Sequence, residues 1–468
     1  MRSVFFGKTL SLVGAAMGVA LSVVLGASSA SAGAIAFKCE GLEEKSRMTS
    51  IAVKMYQGYD GWFFREGDME NMYELSPEAL DAFKDVRSAL AHQGIHLVLV
   101  PMLPRGIAGS AFIPNGGIFG DMFYDPAFSA GQFHTMVASL RDAGIDAVDI
   151  TEIRDRKTDF DWNTYYLKRD IHWTPEGARV VADALAEKIA GMVGEIPNQA
   201  EFKTELTGKQ EPIRFNMGKA LNEICQEKIP GESVTGYVTK RSVDDLDALL
   251  GDGTEAVQDL VHVVGTSFTD ERMDFNFNGF LREALKHDVS GFSIAGGGLT
   301  QSIYSWAQNA NGLGRKPRIL VWEYSDLQSV LRNVDYIEDA IVPAIVGGCE
   351  GELKLAEKAF EKTAAVELDL PALVGKATDY YLAYDFSNKA LTSFQSTYAY
   401  GNGATKIVPF ENPTRVSGLA KLFQALPGGT KTAPVHVRLD LQGGAQSAGS
   451  VKLCRYPNGI FQDAATSN

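Results

Sequence analysis

Short, continuous apolar runs mark the first two thirds of the chain, and stretches of helical period separate them. Ile95–Val100 (IHLVLV), Ile145–Ile150 (IDAVDI), Val261–Val264 (VHVV), Phe292–Ala295 (FSIA) and Ile319–Trp322 (ILVW) read as strands buried on both faces. Ser76–His92, Ala130–Ala143 and Pro175–Met192 read as the helices between them. That alternation predicts an α/β fold with a mostly parallel sheet and helices on both of its faces. Ligands of such sheets bind beyond the carboxyl ends of the strands, so chemistry is sought there. Val342–Gly351 (VPAIVGGCEG) looks like a boundary. After it come short alternating runs at Ala365–Leu370, Tyr380–Phe386, Ser393–Tyr400, Lys406–Phe410 and Val435–Leu441, punctuated by Pro, Gly, Asn and Asp. They predict a C-terminal β-sandwich, with Glu352–Lys362 as its one helical stretch.

The first 32 residues differ from everything after them. Arg2 and Lys8 flank a small, apolar run from Leu10 to about Leu25, and Ala30-Ser31-Ala32 presents small residues at the positions that signal peptidase reads. This predicts a secretory signal peptide cut after Ala32, the apolar run being shorter than a membrane span. The expected division is therefore a signal peptide at 1–32, an α/β domain at 33–345 and a β-sandwich at 346–468, in an exported protein that spans no membrane. Export changes the meaning of the four cysteines. Cys39, Cys225, Cys349 and Cys454 include no CxxC pair, so two disulfides are favoured over a zinc site. Of the three possible connectivities, Cys39–Cys225 and Cys349–Cys454 keep each bridge on one side of the boundary.

In its 468 residues the chain carries 44 Lys and Arg against 58 Asp and Glu, for a net charge of -14. No basic surplus is available for phosphates, which disfavours nucleic acid as a partner. A polyanionic ligand would be repelled at long range and would need a local basic groove.

Seven histidines occur, and six of them (His92, His96, His134, His262, His287, His436) fall within or beside predicted helices and strands, where packing or solvation explains them. His172 stands apart, in Arg169-Asp170-Ile171-His172-Trp173-Thr174-Pro175-Glu176. Thr174 suits an N-cap, Pro175 the first helical position and Glu176 the positive end of the dipole, so Asp170 and His172 lie on a loop fixed just ahead of a helix. Two residues apart on an extended segment, their side chains share a face. The Asp170 carboxylate can then fix the His172 tautomer and leave Nε2 as a base. The best nucleophile is Ser267, where the apolar strand Val261–Val264 ends at Gly265-Thr266-Ser267-Phe268 and backbone amides could face an oxyanion. Gly296-Gly297-Gly298 offers bare backbone after another strand. The chain has no GxSxG, GxGxxG, Walker or HExxH motif, and no His–carboxylate spacing suggests a metal or another cofactor.

Tyr59-Asp60-Gly61-Trp62-Phe63-Phe64, Asp170-Ile171-His172-Trp173-Thr174-Pro175-Glu176-Gly177-Ala178, Gly265-Thr266-Ser267-Phe268 and Val321-Trp322-Glu323 follow one another in this order. The series resembles the AlgX/AlgJ family of SGNH-hydrolase-like alginate O-acetylation proteins, over essentially the whole chain after the signal. The resemblance implies a Ser-His-Asp triad on Ser267, His172 and Asp170, in an order permuted from the serine-first order of most SGNH hydrolases. It implies transfer of acetyl groups onto mannuronate hydroxyls in the periplasm, with alginate or polymannuronate as acceptor and an acetyl donor or acetyl-carrying protein as source. It further implies export-complex partners, a carbohydrate-binding C-terminal module and the cysteine pairing given above. Two other readings use the same residues differently: an O-acetylesterase with water as acceptor, and a polysaccharide-binding scaffold without catalysis. A polyuronate needs cations, and Lys389, Lys406, Arg415 and Lys421, among Phe394, Tyr398 and Tyr400, suit a sugar-acid groove, with Lys389 and Arg415 the leading candidates. Tyr324 and Arg272, near predicted strand ends, could assist the oxyanion or the incoming sugar.

Overall fold

A computed structural model describes residues 33–461 apart from 120–121, 194–198, 214–215, 243–259, 310–311, 326, 412–414, 417 and 429–431. The expected signal peptide and its cleavage site after Ala32 lie outside the described residues. Five strands form the central sheet: β1 (His96–Pro101), β2 (Asp146–Ala147), β3 (Val261–Val264), β4 (Val289–Gly291) and β5 (Ile319–Tyr324). Their order is β4-β3-β5-β1-β2 and every pairing is parallel. All residues of β3 and β5 are buried, as strands covered on both faces require.

Three helices begin with the same device, a capping side chain followed by proline. Ser76 accepts from the Ala79 amide ahead of α1 (Pro77–His92). Asp125 accepts from Ala127 and Phe128 ahead of α2 (Pro126–Asp142). The Thr174 hydroxyl accepts from the Gly177 amide at the start of α3 (Pro175–Val193). The cap satisfies amides that have no partner within the helix, and proline supplies the right φ where an amide would be wasted. Asp125-Pro126 thus moves the start of α2 four residues ahead of the expected Ala130.

Two four-stranded antiparallel sheets make up the C-terminal sandwich. They are built from β6 (Lys354–Thr363), β7 (Ala365–Asp369), β8 (Tyr380–Phe386), β9 (Ser393–Tyr400), β10 (Thr405–Glu411), β11 (Lys421–Ala425), β12 (Pro434–Leu441) and β13 (Ser447–Arg455). The orders are β6-β13-β8-β11 and β7-β12-β9-β10. The expected helix at Glu352–Lys362 is instead edge strand β6. Its Lys, Glu and Ala residues favour a helix in isolation, but pairing with β13 overrides that preference, and its charged outer face suits a sheet edge. The strand expected at Phe292–Ala295 lies earlier, at Val289–Gly291, because Val289 takes its register from Val261.

Cys39 bonds to Cys225 and Cys349 to Cys454, the pairing expected. Among the described residues no helix is long and apolar enough to cross a membrane.

Candidate active site

β3 ends at Val264, and the turn that follows carries Ser267 out of the sheet at its carboxyl edge. Asp170 and His172 reach the same edge from the loop before α3. The Ser267 Oγ lies 2.6 Å from His172 Nε2, and His172 Nδ1 lies 2.5 Å from Asp170 Oδ1. Asp170 and His172 are both buried. A carboxylate on Nδ1 fixes the tautomer with Nε2 as acceptor, so the Ser267 hydroxyl donates to it.

The local geometry of the pair differs from the extended segment expected. The His172 amide donates to Asp170 Oδ1 at 3.0 Å, so the backbone bends and one oxygen meets both the main chain and the ring of the same histidine. This is an Asx turn, held at its base by the Tyr166–Trp173 bridge and by the Leu167 amide donating to the His172 carbonyl. Aromatic rings frame the imidazole: Phe275 stacks on it at 5.2 Å between centroids, and Phe268 lies at 4.9 Å. Trp173 Nε1 donates to the Phe268 carbonyl at 3.1 Å, tying the loop that carries His172 to the turn that carries Ser267.

Arg105, which the sequence reading passed over, explains the Tyr59–Phe64 motif. Its fully buried guanidinium donates to the carbonyls of Leu167 at 2.7 Å, Phe63 at 2.9 Å and Lys168 at 3.3 Å. Trp62 and Tyr166 lie at 5.0 and 5.3 Å from it, in cation–π range. The aromatic segment and the loop that leads to Asp170 are thereby clamped together. Asp68 answers the charge at 3.4 Å. Burial alone would raise the Asp68 carboxyl, but Arg65 and Arg105 hold it below the usual range.

Other expected residues fall as follows. Tyr324 ends β5, fully buried, with a hydroxyl that has no hydrogen-bond partner among the described residues, and burial pushes that phenol well up. Arg272 is largely exposed and spends its guanidinium on Asp270 at 2.5 and 2.9 Å. Arg415 is exposed, its amide donates to Gln301 Oε1 at 2.8 Å, and its guanidinium closes on Gly296 of the triple-glycine turn. Lys389 stands exposed on the turn between β8 and β9. Phe394, Tyr398 and Tyr400 form no surface platform: they alternate inward along β9 and are buried in the sandwich. Lys406 donates to the Gly428 carbonyl.

His134, Asp149 and Glu152 bring three ligand-type atoms within 4.8 Å of one another, a grouping that no sequence spacing announced. Their bonds are already assigned. Asp149 caps the helix Ile150–Arg156, and Glu152 takes both guanidinium nitrogens of Arg141. A cavity of 560 Å³ opens at the carboxyl ends of β1 and β5, with Ile171 and Phe268, the chain neighbours of His172 and Ser267, in its wall.

A doubly covered parallel sheet with a hydroxyl, an imidazole and a carboxylate in line at its strand ends is a hydrolase-like α/β arrangement, in which a proton can pass from the hydroxyl to the imidazole. The family profile described as "SGNH hydrolase-like domain, acetyltransferase AlgX" matches residues 55–326, and the chain belongs to the AlgX family. It is 26% identical to the alginate biosynthesis protein AlgX of Pseudomonas aeruginosa over 378 residues, 79% of this chain and 77% of that protein. It is 29% identical to the probable alginate O-acetylase AlgJ of Azotobacter vinelandii over 279 residues, 58% of this chain and 68% of that protein. The solved structure of P. aeruginosa AlgX superposes with a TM-score of 0.73 at 21% identity, covering 90% of this chain and 100% of that one, and so shares its fold.

Proposed function

We propose that this chain is a periplasmic O-acetyltransferase that moves acetyl through Ser267 onto mannuronate hydroxyls of alginate during polymer modification and export. The observation that carries this reading is the relay of 2.6 and 2.5 Å joining Ser267, His172 and Asp170. The names of the relatives, alginate biosynthesis protein and alginate O-acetylase, support the acceptor.

In the first half-reaction Ser267 Oγ attacks the acetyl carbonyl of the donor as its proton passes to His172 Nε2. The tetrahedral species collapses, the leaving group takes that proton, and acetyl-Ser267 remains. In the second, a sugar hydroxyl gives its proton to Nε2 and attacks the ester, and Ser267 leaves and is reprotonated. Splitting the transfer in two lowers each barrier, and Asp170 stabilises the imidazolium formed in both halves. We assign this chemistry to residues 33–345 and polymer binding to residues 346–468. Arg415 and Lys389 serve as cations for polymer carboxylates, Arg415 where the sandwich meets the Gly296 turn.

The test incubates purified protein with an activated acetyl ester, with and without mannuronate oligomers, and follows both by mass spectrometry. The expected result is acetyl on the Ser267 peptide, none in Ser267→Ala, and acetylated oligomer when the sugar is present. Ester consumed with the oligomer left unmodified would mean an esterase. A folded protein that gives neither adduct nor acetylated sugar would refute the reading.

A further inference from the structure

The register of the parallel sheet leaves a gap beside the nucleophile. β3 stops at Val264, opposite Trp322 of β5. β5 continues for two residues, still paired on its other side through Glu323 with Val100 and Tyr324 with Pro101. The Glu323 side chain occupies the place that β3 has left. Its Oε2 accepts from the Thr266 amide at 2.7 Å, and both oxygens accept from the Thr266 hydroxyl at 3.0 and 3.1 Å. The Thr269 hydroxyl adds a contact at 3.2 Å.

Gly265 makes room for this carboxyl. A Cβ there would stand 2.5 Å from Glu323 Oε2 and 3.0 Å from Glu323 Cβ, distances a side chain could not tolerate. Glycine and glutamate are therefore complementary, one supplying the volume that the other fills. Glu323 is fully buried, and no cation among the described residues pairs with it. A buried carboxyl without a counter-ion is costly unless its hydrogen bonds hold something in place. Among the described residues, all of its hydrogen bonds come from the turn that carries Ser267.

Those bonds also decide which amide stays free. Glu323 takes the Thr266 amide, Thr266 Oγ1 receives the Phe268 amide at 3.4 Å, and the Thr266 carbonyl receives the Thr269 amide at 3.3 Å. No described residue accepts from the Ser267 amide. We infer that Glu323 is a positioning residue, which holds the 265–269 turn so that Ser267 Oγ meets His172 while the Ser267 amide faces the developing oxyanion. The inference rests on the nucleophilic role proposed for Ser267. Glu323 acts through the turn and touches no reacting atom.

The full chain carrying Glu323→Ala, Glu323→Gln or Thr266→Val tests this, read as kcat and KM for Ser267 acetylation by the activated ester. Glu323→Ala should lower kcat about 10²-fold, the cost of a displacement near 1 Å at the reacting atom, with KM unchanged. Glu323→Gln should restore most of the rate, because its amide oxygen still accepts from the Thr266 amide and the Thr269 hydroxyl, and the Thr266 hydroxyl can turn to accept from its NH2 group. Should the alanine variant fail to fold, Thr266→Val is decisive, since it keeps Glu323 and removes one donor for an expected loss of about tenfold. A folded Glu323→Ala or Thr266→Val protein that acetylates at the wild-type rate, or loses only through KM, overturns the positioning role alone. Wild-type protein that never acetylates at Ser267 overturns this role together with the reading beneath it.

Discussion

Asparagine at position 170 would keep the shape of the relay and remove its charge. Both bonds from Asp170 to His172 use one oxygen, Oδ1, which accepts the backbone amide at 3.0 Å and faces Nδ1 at 2.5 Å. An asparagine oxygen in the same place can accept both, so the Asx turn survives. What disappears is the attraction between the carboxylate and the imidazolium. Two unit charges ~4 Å apart at an effective dielectric near 20 interact by about 4 kcal/mol. Converted to rate, that is about 10³-fold in acetylation of Ser267. If the amide turns its NH2 toward Nδ1, the wrong tautomer forms and the loss approaches 10⁴-fold, roughly the effect of the same change in serine proteases. Single-turnover kinetics with an activated acetyl ester measure the step directly, and circular dichroism checks the fold. An Asp170→Asn protein within about tenfold of wild type would refute the argument, because the carboxylate would then contribute almost nothing to the transition state.

Two further outcomes follow from buried and covalent features. Burial pushes the Glu323 carboxyl up to about 7 from 4.5, against hydrogen bonds from Thr266 and Thr269 that lower it. Its contribution to stability is therefore complete below pH 4.5 and is lost as pH rises through about 7, by about 3 kcal/mol. Urea unfolding of wild type and Glu323→Gln across that range should show the difference, and parallel curves would sink the assignment. Cys349 and Cys454 close a loop of 105 residues, so replacing both with serine should cost about 5 kcal/mol in the chain-entropy model. Unchanged denaturant midpoints would count against it.

Much of this architecture is written locally in the chain. The four residues of β3 and the Thr174-Pro175 start of α3 are where their patterns place them, because burial on both faces and helix capping are properties of a few adjacent residues. β9 was equally legible as a strand. Alternation shows that one face is buried without saying which, so its aromatic residues suit a sugar groove in the sequence yet line the core of the sandwich. β6 misled for a different reason: its residues prefer a helix, and the partner that overrides them lies about a hundred positions away. The hairpin of Phe202–Ile213 and Glu232–Arg241 is hard to read in sequence because Phe202, Val234 and Gly236 are its only buried residues, too few to set an apolar period. At the site, Asp170, His172 and Ser267 could be nominated from spacing and strand ends. Arg105 and Glu323 could not, since a lone arginine in a loop and a lone glutamate in an apolar strand acquire their meaning only from what the fold sets beside them.

The grip of Arg105 has an evolutionary corollary. It reads three carbonyl oxygens, at positions 63, 167 and 168, and a carbonyl is the same whatever side chain its residue bears. Those three positions are thus free to drift, as far as this grip is concerned, without disturbing where Asp170 and His172 stand. The guanidinium itself has no such licence: a lysine there would offer one point of charge in place of a planar fork that reaches several oxygens at once.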